Sequence, residues 1–384
     1  MIYLDNAATT PVRREVLQAM WPYLTGEFGN PSSHHELGES AATALEDARA
    51  TVAEWLGCRA SEIVFTSGGT EADNLAVKGI ALGNPRGRHI VTTAVEHQAV
   101  LESCAYLEKY HGFEVTVLGV GGDGLVDLGE VASALRPDTT LVSVMYANNE
   151  VGAIQPITQI AALAKPLGIP MHTDAVQAAG WLDLDVSRLG VDALSFSGHK
   201  LGAPKGVGAL FVRGRVPLEP VLHGGGQERG RRSGTENVAG AVGLAAAVRL
   251  ADPTRAQAVA AFRDAFIDEV LATVPGARLT GPRSPRLPAS ASFVFPGTSG
   301  EALLLELGRH GIVCSSGSAC AAGSDEPSHV LLAMGVEPAV AQTAVRFTFG
   351  ADTTAAELTE VAGELRRAVA AVASLSFSGG TAAN

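Results

Sequence analysis

The stretch V-D-A-L-S-F-S-G-H-K-L-G-A-P-K-G-V (residues 191–207) joins an apolar segment to a lysine. Residues 191–196 predict a short buried strand. Lys200 follows it after small and hydroxylated residues, and an amine desolvated at such a place can form a Schiff base with a carbonyl compound. A surface lysine in a loop is the ordinary alternative. Lys205, in the turn G-A-P-K-G, competes for the chemical role.

Composition restricts the kind of protein that this chain can form. It has 384 residues, of which 46% are hydrophobic and 18% charged, so two globular domains with sizeable cores are expected. The net charge of −12 argues against general binding to nucleic acids or membrane surfaces. The sequence has neither a bilayer-spanning apolar run nor a signal-peptide pattern, so we expect a cytoplasmic protein. The cysteine spacing favours reduced thiols over disulfides or a metal site, at Cys58, Cys104, Cys314 and Cys320.

Strand-like and helix-like segments alternate through the first half of the chain. Strand candidates lie at residues 63–66, 89–95, 114–118, 141–146, 170–173, 191–196 and 208–212. Helix candidates lie between them at residues 71–82, 98–110, 128–135 and 157–167. This alternation predicts an α/β fold, with a mainly parallel seven-stranded sheet covered on both faces. Ligands of such sheets bind at the carboxyl ends of the strands.

A change of pattern marks the expected domain boundary. The Gly-rich residues 223–234 interrupt the alternation, and long helix-like segments follow on both sides of Pro253. We therefore predict a large domain and a smaller α+β domain, made of residues 14–253 and of residues 1–13 with 254–373, respectively. The last residues, 374–384, are rich in Ser, Gly and Ala and predict a disordered tail.

Several candidate binding residues follow the predicted strands. The segment T-S-G-G-T-E (residues 66–71) opens a helix, whose N–H groups and hydroxyls can bind phosphate or form an ordinary N-cap. Asp174, with Gln177 three residues on, could keep a pyridinium nitrogen protonated and make a pyridoxal ring an electron sink. Taken alone, Asp174 also fits a helix N-cap. His97 could stack on an aromatic cofactor or shuttle protons, or be structural.

Other candidates could act on a substrate. Asn149 and its neighbour Asn148 could bind a carboxylate or a phenolate, or form a turn. Arg346, in the strand-like V-R-F-T-F, needs an anionic partner, which is either a ligand carboxylate or a structural ion pair. In C-S-S-G-S-A-C-A-A (residues 314–322), the small neighbours of Cys320 indicate an exposed, reactive thiol. Cys314 follows apolar residues, which favours packing.

Taken together, these motifs resemble those of the cysteine desulfurases of the class V aminotransferase group, pyridoxal-phosphate enzymes of fold type I. In family order, the matching segments are Y-L-D-N-A-A-T-T-P (3–11), F-G-N-P-S-S (28–33), T-S-G-G-T-E-A-D-N (66–74), E-H-Q-A-V (96–100), N-N-E-V-G (148–152), H-T-D-A-V-Q (172–177), S-G-H-K (197–200), R-R-S-G-T-E-N (231–237) and S-S-G-S-A-C (315–320). The segment around Cys320, with E-P-S-H-V after it, looks like the NifS/IscS-like branch and not the SufS-like branch.

The resemblance implies a role for each matched residue. Lys200 would bind the cofactor covalently, and Cys320 would be the nucleophile that accepts sulfur. The cofactor ring would contact Asp174 at its nitrogen, Gln177 at its phenolate oxygen and His97 on its face, with His97 also acting in acid–base steps. Its phosphate site would include Gly69, Thr70, Ser197, His199 and, from the other subunit of a homodimer, Thr235. The substrate carboxylate would be held by Asn149 and Arg346.

The implied reaction converts L-cysteine to L-alanine and leaves a persulfide on Cys320. An acceptor protein would then take the sulfur for Fe–S cluster assembly, tRNA thiolation or DNA phosphorothioation, without direct binding of nucleic acid, membrane or metal. A selenocysteine lyase or another lyase of this fold is one alternative, and a non-catalytic sulfur-transfer scaffold is another. The sequence departs from the family pattern at Ala351, where an arginine is common, and at Cys314, a second relay thiol or a packing residue.

Overall fold

The computed structural model describes residues 1–252, 254–317 and 326–378. The strands are β1 (Ile2–Tyr3), β2 (Ile63–Thr66), β3 (His89–Thr93), β4 (Glu114–Leu118), β5 (Thr139–Ser143), β6 (Met171–Asp174), β7 (Ala193–Ser197), β8 (Gly208–Val212), β9 (Arg278–Leu279), β10 (Ser290–Val294), β11 (Ile312–Val313) and β12 (Ala344–Thr348). The α-helices are α1 (Arg14–Leu24), α2 (Glu36–Leu56), α3 (Gly69–Gly83), α4 (Gln98–His111), α5 (Leu128–Ala134), α6 (Ile157–Ala164), α7 (Val186–Leu189), α8 (Val238–Arg249), α9 (Arg255–Thr273), α10 (Gly300–Arg309), α11 (His329–Ala333), α12 (Pro338–Ala341) and α13 (Ala355–Ser378).

The central sheet has seven strands in the order β2-β8-β7-β6-β5-β3-β4. The pairings from β7 to β4 are parallel, whereas β8 runs antiparallel to both β7 and β2. This confirms the predicted mainly parallel sheet of seven strands. The strand β5 begins two residues earlier than predicted, and beyond its end Val144 and Tyr146 still donate backbone hydrogen bonds to β6.

Helices cover both faces of this sheet, as its apolar strands require. Successive residues of a strand point to opposite faces, so Ala193 and Leu194 of β7 enter different cores. The core on the side of α3 and α4 also includes Ile80 and Leu210. The larger core, on the opposite face, includes Phe196 and Phe211 and packs against α2, α6 and α8. None of the described helices is both long and apolar enough to cross a membrane.

A second core lies around a smaller antiparallel sheet with the order β12-β10-β9. It is centred on aromatic side chains, with the ring of Phe266 5.4 Å from that of Phe347 and 6.0 Å from that of Phe293. The N-terminus contributes to this core through Leu4, next to the parallel pair β1–β11. Strands of two residues are too short to show a period, which is why the sequence did not predict β1, β9 and β11.

The last helix is longer than expected. Residues 374–378, which we assigned to a disordered tail, belong to α13. No glycine or proline occurs there before Gly379, so nothing in the local sequence ends the helix earlier. Residues 379–384 lie outside the described part of the chain. The predicted domain limits at residues 13 and 253 stay a prediction.

A buried ion pair fixes the Gly-rich stretch of residues 223–234 against the large sheet. Arg49 of α2 donates through Nη1 and Nη2 to both carboxylate oxygens of Glu228, at 2.7 and 2.9 Å. The backbone N–H of Phe65 in β2 also donates to Glu228, at 3.0 Å. Both side chains of the pair are at least 97% buried. The pair therefore determines where the chain approaches Thr235.

We predict that Glu228→Ala lowers the free energy of unfolding by about 3–5 kcal/mol, because Arg49 would lose its buried counterion and keep the exposed Glu46. Arg229→Ala is the matched control, since Arg229 is exposed and pairs with the same exposed Glu46. The control should change stability by less than about 0.5 kcal/mol. Urea unfolding followed by circular dichroism measures both, and equal midpoints for the two variants would contradict the assigned role of the pair.

Candidate functional site

The predicted lysine lies at the carboxyl edge of the large sheet, in the turn after β7. Its Nζ donates to the backbone carbonyl oxygens of Ala7 and Ala8, the latter at 2.6 Å. The next turn of the N-terminal segment is also held here, because Thr10 donates through its N–H and its hydroxyl to the carbonyl of His199. Residues 7–10 therefore lie directly against the predicted catalytic lysine, a contact that the strand pattern does not reveal.

The end of β7 and the start of α3 together form a site with an unused hydrogen-bond donor. Ser197 Oγ is buried and has no hydrogen-bond partner among the described residues. A Cβ on Gly69 would lie 3.5 Å from Cβ of Ser197 and 2.7 Å from Val176, so only glycine fits without displacement. Thr70 follows, exposed, in the first turn of this 15-residue helix. A hydroxyl without a partner beside a long helix's N-terminus suits a phosphate group.

His199 borders the same site as a neutral imidazole. Its Nδ1 lies 3.2 Å from the hydroxyl of Thr9. Burial, together with the positive charges of Lys200 and Lys205, lowers the pKa of His199 to about 4. A neutral ring can donate one hydrogen bond to a phosphate oxygen but adds no charge.

The carboxyl group that was predicted to meet a pyridinium nitrogen is buried at the end of β6. Asp174 is 5% exposed, and its Oδ1 accepts the N–H of Val176 at 2.8 Å. Burial raises the pKa of Asp174, while His97 and Lys200 oppose that rise. A buried carboxyl with one oxygen engaged and no ion pair of its own suits a cationic ring nitrogen. Together with the unpartnered hydroxyl of Ser197, it fits the pyridoxal phosphate that the motifs imply.

Two further cofactor candidates lie around this carboxyl. His97 caps α4, and its Nδ1 accepts the N–H of Ala99 at 3.1 Å, which leaves the proton on Nε2 in the neutral ring. His97 therefore has a structural role, which was one of its predicted alternatives. The same hydrogen bond also orients the imidazole ring of His97. Gln177 donates to the carbonyl of Ala7 at 3.1 Å, beside the contact made by Lys200.

Arg346 is buried in β12, where its ion-pair partner is Asp5. Its Nη2 lies 2.8 Å from Asp5, and Nη1 donates to the carbonyls of Asn149 and Gly317 at 2.9 and 3.3 Å. The structural ion pair predicted as one alternative thus exists. However, the buried Nε has no partner in the described part of the chain, so a donor remains for a substrate carboxylate. Arg346 and Asn149 thus lie together, and their binding of a substrate carboxylate stays a prediction.

The remaining candidate residues are Cys320, Cys314 and Thr235. Cys320 lies outside the described residues. Cys314 packs against the smaller core, and burial, followed by the nearby Asp5, raises the pKa of its thiol to about 12 despite Arg346. It therefore is a packing residue and not an activated thiol. Thr235 is exposed, and its contact with the phosphate of another subunit stays a prediction.

A cavity of about 450 Å³ separates the large sheet from the smaller one. Lys200, Gln177 and Asn149 line it on the inner side, and Ala351 lines it on the side of the smaller sheet. Ala351, which stands where the family pattern has an arginine, thus presents a methyl group to this cavity. Among the residues that the structure describes, no group of three or more His, Cys, Asp or Glu side chains could hold a metal ion.

Comparisons with known proteins agree with this geometry. The family model described as aminotransferase class-V matches residues 2–361. A protein of Dictyoglomus turgidum named cysteine desulfurase IscS is 47% identical over 372 residues, which are 96% of this chain and 94% of that protein. A solved structure named NifS-like protein is 38% identical, with a TM-score of 0.89, and the match covers 96% of this chain and 99% of the other.

A second solved structure, named SspA in complex with cysteine, is also 38% identical, with a TM-score of 0.81 and coverage of 91% of this chain and 99% of that one. The family match of residues 2–361 includes both sheets and every motif quoted for the candidate site. The chain therefore belongs to the class-V aminotransferase family, among its NifS- and IscS-like cysteine desulfurases, which depend on pyridoxal phosphate.

Proposed function

We propose that this protein converts L-cysteine to L-alanine and takes up the sulfur on Cys320 as a persulfide. The observation that carries the proposal is the meeting of Lys200, Asp174 and the unpartnered Ser197 hydroxyl at one edge of the sheet. The relatives named cysteine desulfurase and the related structure with bound cysteine support L-cysteine as the substrate.

Each part of the site has a task in this reaction. When bound, pyridoxal phosphate withdraws electrons from the substrate's α-carbon and makes its proton acidic. Asp174 keeps the ring nitrogen protonated, and Ser197 with the N-terminus of α3 holds the phosphate. Lys200 would hold the cofactor, and its Nζ would accept the α-proton of the substrate. His97 would contact the cofactor ring and carry the proton that the product requires.

The substrate carboxylate binds at Arg346, with the amide of Asn149 beside it. Arg346 can add a charge-assisted hydrogen bond from Nε, the donor that the protein itself leaves unused. Burial of this guanidinium strengthens the contact, because water competes less for the carboxylate there. A carboxylate fixed in this way also limits the positions that the substrate's sulfur can take.

Sulfur transfer then requires a thiolate. The sulfur of Cys320 forms a bond with the substrate's sulfur while the bond from that sulfur to the β-carbon breaks. The electron pair of the broken bond stays with the substrate, whose β-carbon takes a proton to give L-alanine. The persulfide on Cys320 passes to an acceptor protein in Fe–S cluster assembly, tRNA thiolation or DNA phosphorothioation.

We further propose that the protein works in the cytoplasm as a homodimer, in which Thr235 reaches the phosphate site of the neighbouring subunit. Its exposure and its place after the Gly-rich residues 223–234 support this role. The ion pair between Arg49 and Glu228 holds the start of that approach in place. Cross-subunit complementation tests it: mixing Lys200→Ala and Thr235→Ala subunits should restore cofactor binding and activity in one of the two sites.

Lys200→Ala should abolish the visible absorbance of covalently bound cofactor, because no other amine replaces Nζ at this edge of the sheet. The matched control is Lys205→Ala, which removes the competing lysine of the same turn. The control should retain the wild-type spectrum after reconstitution with pyridoxal phosphate. A colourless wild-type protein that cannot be reconstituted would refute the cofactor assignment, as the scaffold alternative requires.

Cys320→Ala should lower alanine production from L-cysteine at least a thousandfold, since the sulfur loses its acceptor. Cys314→Ala should keep activity within about threefold, because the raised pKa of Cys314 leaves almost no thiolate near neutral pH. Alanine release and mass spectrometry of the persulfide measure both variants. Activity on L-cysteine retained by Cys320→Ala would favour a lyase of another kind, such as one acting on selenocysteine.

Arg346→Gln should lower kcat/KM for L-cysteine by about a hundredfold or more, with the larger share of the effect in KM, because a charged partner of the carboxylate is lost. Arg309→Gln is the matched control. Arg309 lies in α10, which packs against the smaller sheet, and among the described residues this exposed side chain pairs with Glu306. Steady-state kinetics compare the two, after circular dichroism shows that both fold. An unchanged KM in Arg346→Gln would assign Arg346 to the ion pair with Asp5 alone.

A further inference from the structure

A row of buried polar side chains lies beneath the cofactor site, on the face of the large sheet that α3 covers. The ring of His172 in β6 is held on both sides: Nδ1 lies 2.9 Å from the hydroxyl of Ser143 in β5, and Nε2 lies 2.9 Å from that of Ser195 in β7. Asp174 is two residues after His172 and therefore points to the same face. Ser195 is the residue paired with Asp174 across the parallel strands.

Asp73 of α3 projects into this row and has no counterion. It is 1% exposed, and its Oδ1 has no hydrogen-bond partner. The one basic side chain within 4 Å of it, in the described part of the chain, is His172, whose Nε2 is 3.8 Å away. Both nitrogens of that ring are already engaged by serine hydroxyls. An ionised carboxylate here would be a buried, unpaired charge, which proteins avoid by keeping the proton.

The ionisable groups around Asp73 also favour its protonated form. Burial raises the pKa of Asp73 well above its ordinary value, and Asp174 and Glu96 raise it further, against a hydrogen bond from Ser195. Burial also raises the pKa of Glu96 to about 8, although Thr93 and Met145 donate to it. His172 supplies no compensating charge, because burial lowers its pKa to about 3.

Asp174 differs from its two neighbouring carboxyl groups because Lys200 lies close enough to favour its charged form. His97 and Lys200 at the rim of the site favour its charged form, and a protonated cofactor ring would add a direct partner. A second negative charge on the same face would oppose the ionisation of Asp174, because it would raise the pKa of that carboxyl group and leave it protonated. The ring nitrogen would then lose its ionic partner.

We propose that Asp73 is a positioning residue that stays an uncharged carboxylic acid, so that Asp174 is the one anion of the three buried carboxyl groups. Ser143, His172 and Ser195 form the hydrogen-bonded row that ends at Asp73 and ties three strands together below the ring. The proposal concerns the cofactor site and not the fate of the sulfur. A failure of persulfide formation would therefore leave it untouched.

The test compares Asp73→Asn with Asp174→Asn in the holoenzyme, by titrating the cofactor's visible absorbance with pH. An amide has the shape and charge of a protonated acid, so Asp73→Asn should move the titration midpoint by less than about 0.3 unit. Asp174→Asn removes the anion itself and should lower the midpoint by about one unit or more. A comparable fall in Asp73→Asn would show that Asp73 is ionised and overturn the proposal.

Cofactor affinity supplies a second comparison. Asp73→Ala leaves the Ser195 hydroxyl without an acceptor and should weaken pyridoxal phosphate binding about tenfold, the effect of one buried hydrogen bond. Asp73→Asn should restore the wild-type affinity, because its carbonyl accepts the same bond. Equal weakening in both variants would mean that the charge matters and not the hydrogen bond, contrary to the proposal.

A measurement on the wild-type protein tests the proposal even if the variants fail to fold. Infrared spectra of wild-type holoenzyme, grown with aspartate labelled with carbon-13 at its side-chain carboxyl, should show a label-sensitive stretch of a protonated carboxyl group at neutral pH. Exposed aspartates are ionised under these conditions and do not contribute to that band. A spectrum without any such band would overturn the proposal.

Discussion

The interaction on which the site depends is the burial of one carboxyl group, Asp174, to which the described residues give no ion pair within 4 Å. Burying a charge is expensive unless it is paired and hydrogen-bonded. The protein satisfies one oxygen with the N–H of Val176 and places Lys200 and His97 nearby, but leaves the strongest contact to a ligand. A cationic ring nitrogen would complete the environment, so that binding of the cofactor and ionisation of Asp174 would favour each other.

The N-terminal segment links this carboxyl edge to the smaller sheet. Ala7 accepts hydrogen bonds from both Lys200 and Gln177, while Asp5, two residues earlier, pairs with Arg346. Leu4 and the strand β1 belong to the smaller core. Lys200 and Arg346, which are proposed to anchor the cofactor and to meet the substrate carboxylate, are therefore joined through the three consecutive residues 5–7.

Much of this arrangement follows from the sequence, because its causes are local. The seven strands of the large sheet occur where the sequence has short apolar runs rich in β-branched residues. The placement of Asp174 and Lys200 at strand ends follows from the parallel sheet. The partner of Arg346 could not be predicted, because Asp5 lies 341 residues away and a lone N-terminal aspartate has no local signature. The contacts of Asp73 could not be predicted for a related reason. The pattern of its helix indicates that Asp73 faces inward, but not which strand residues it contacts.

The two candidate cysteines show why position in the fold, and not residue type, decides reactivity. Cys314 directly follows β11, where packing against the smaller core and the nearby Asp5 keep its thiol protonated. A thiol must lose its proton to attack sulfur, so the same burial that stabilises this strand end removes Cys314 from the chemistry. Three residues after Cys314, Gly317 has a φ of +90°, a conformation that favours glycine, and its carbonyl accepts a hydrogen bond from Arg346. The chain thus passes beside the guanidinium that is proposed to hold the substrate carboxylate, and three sequence positions separate this point from Cys320.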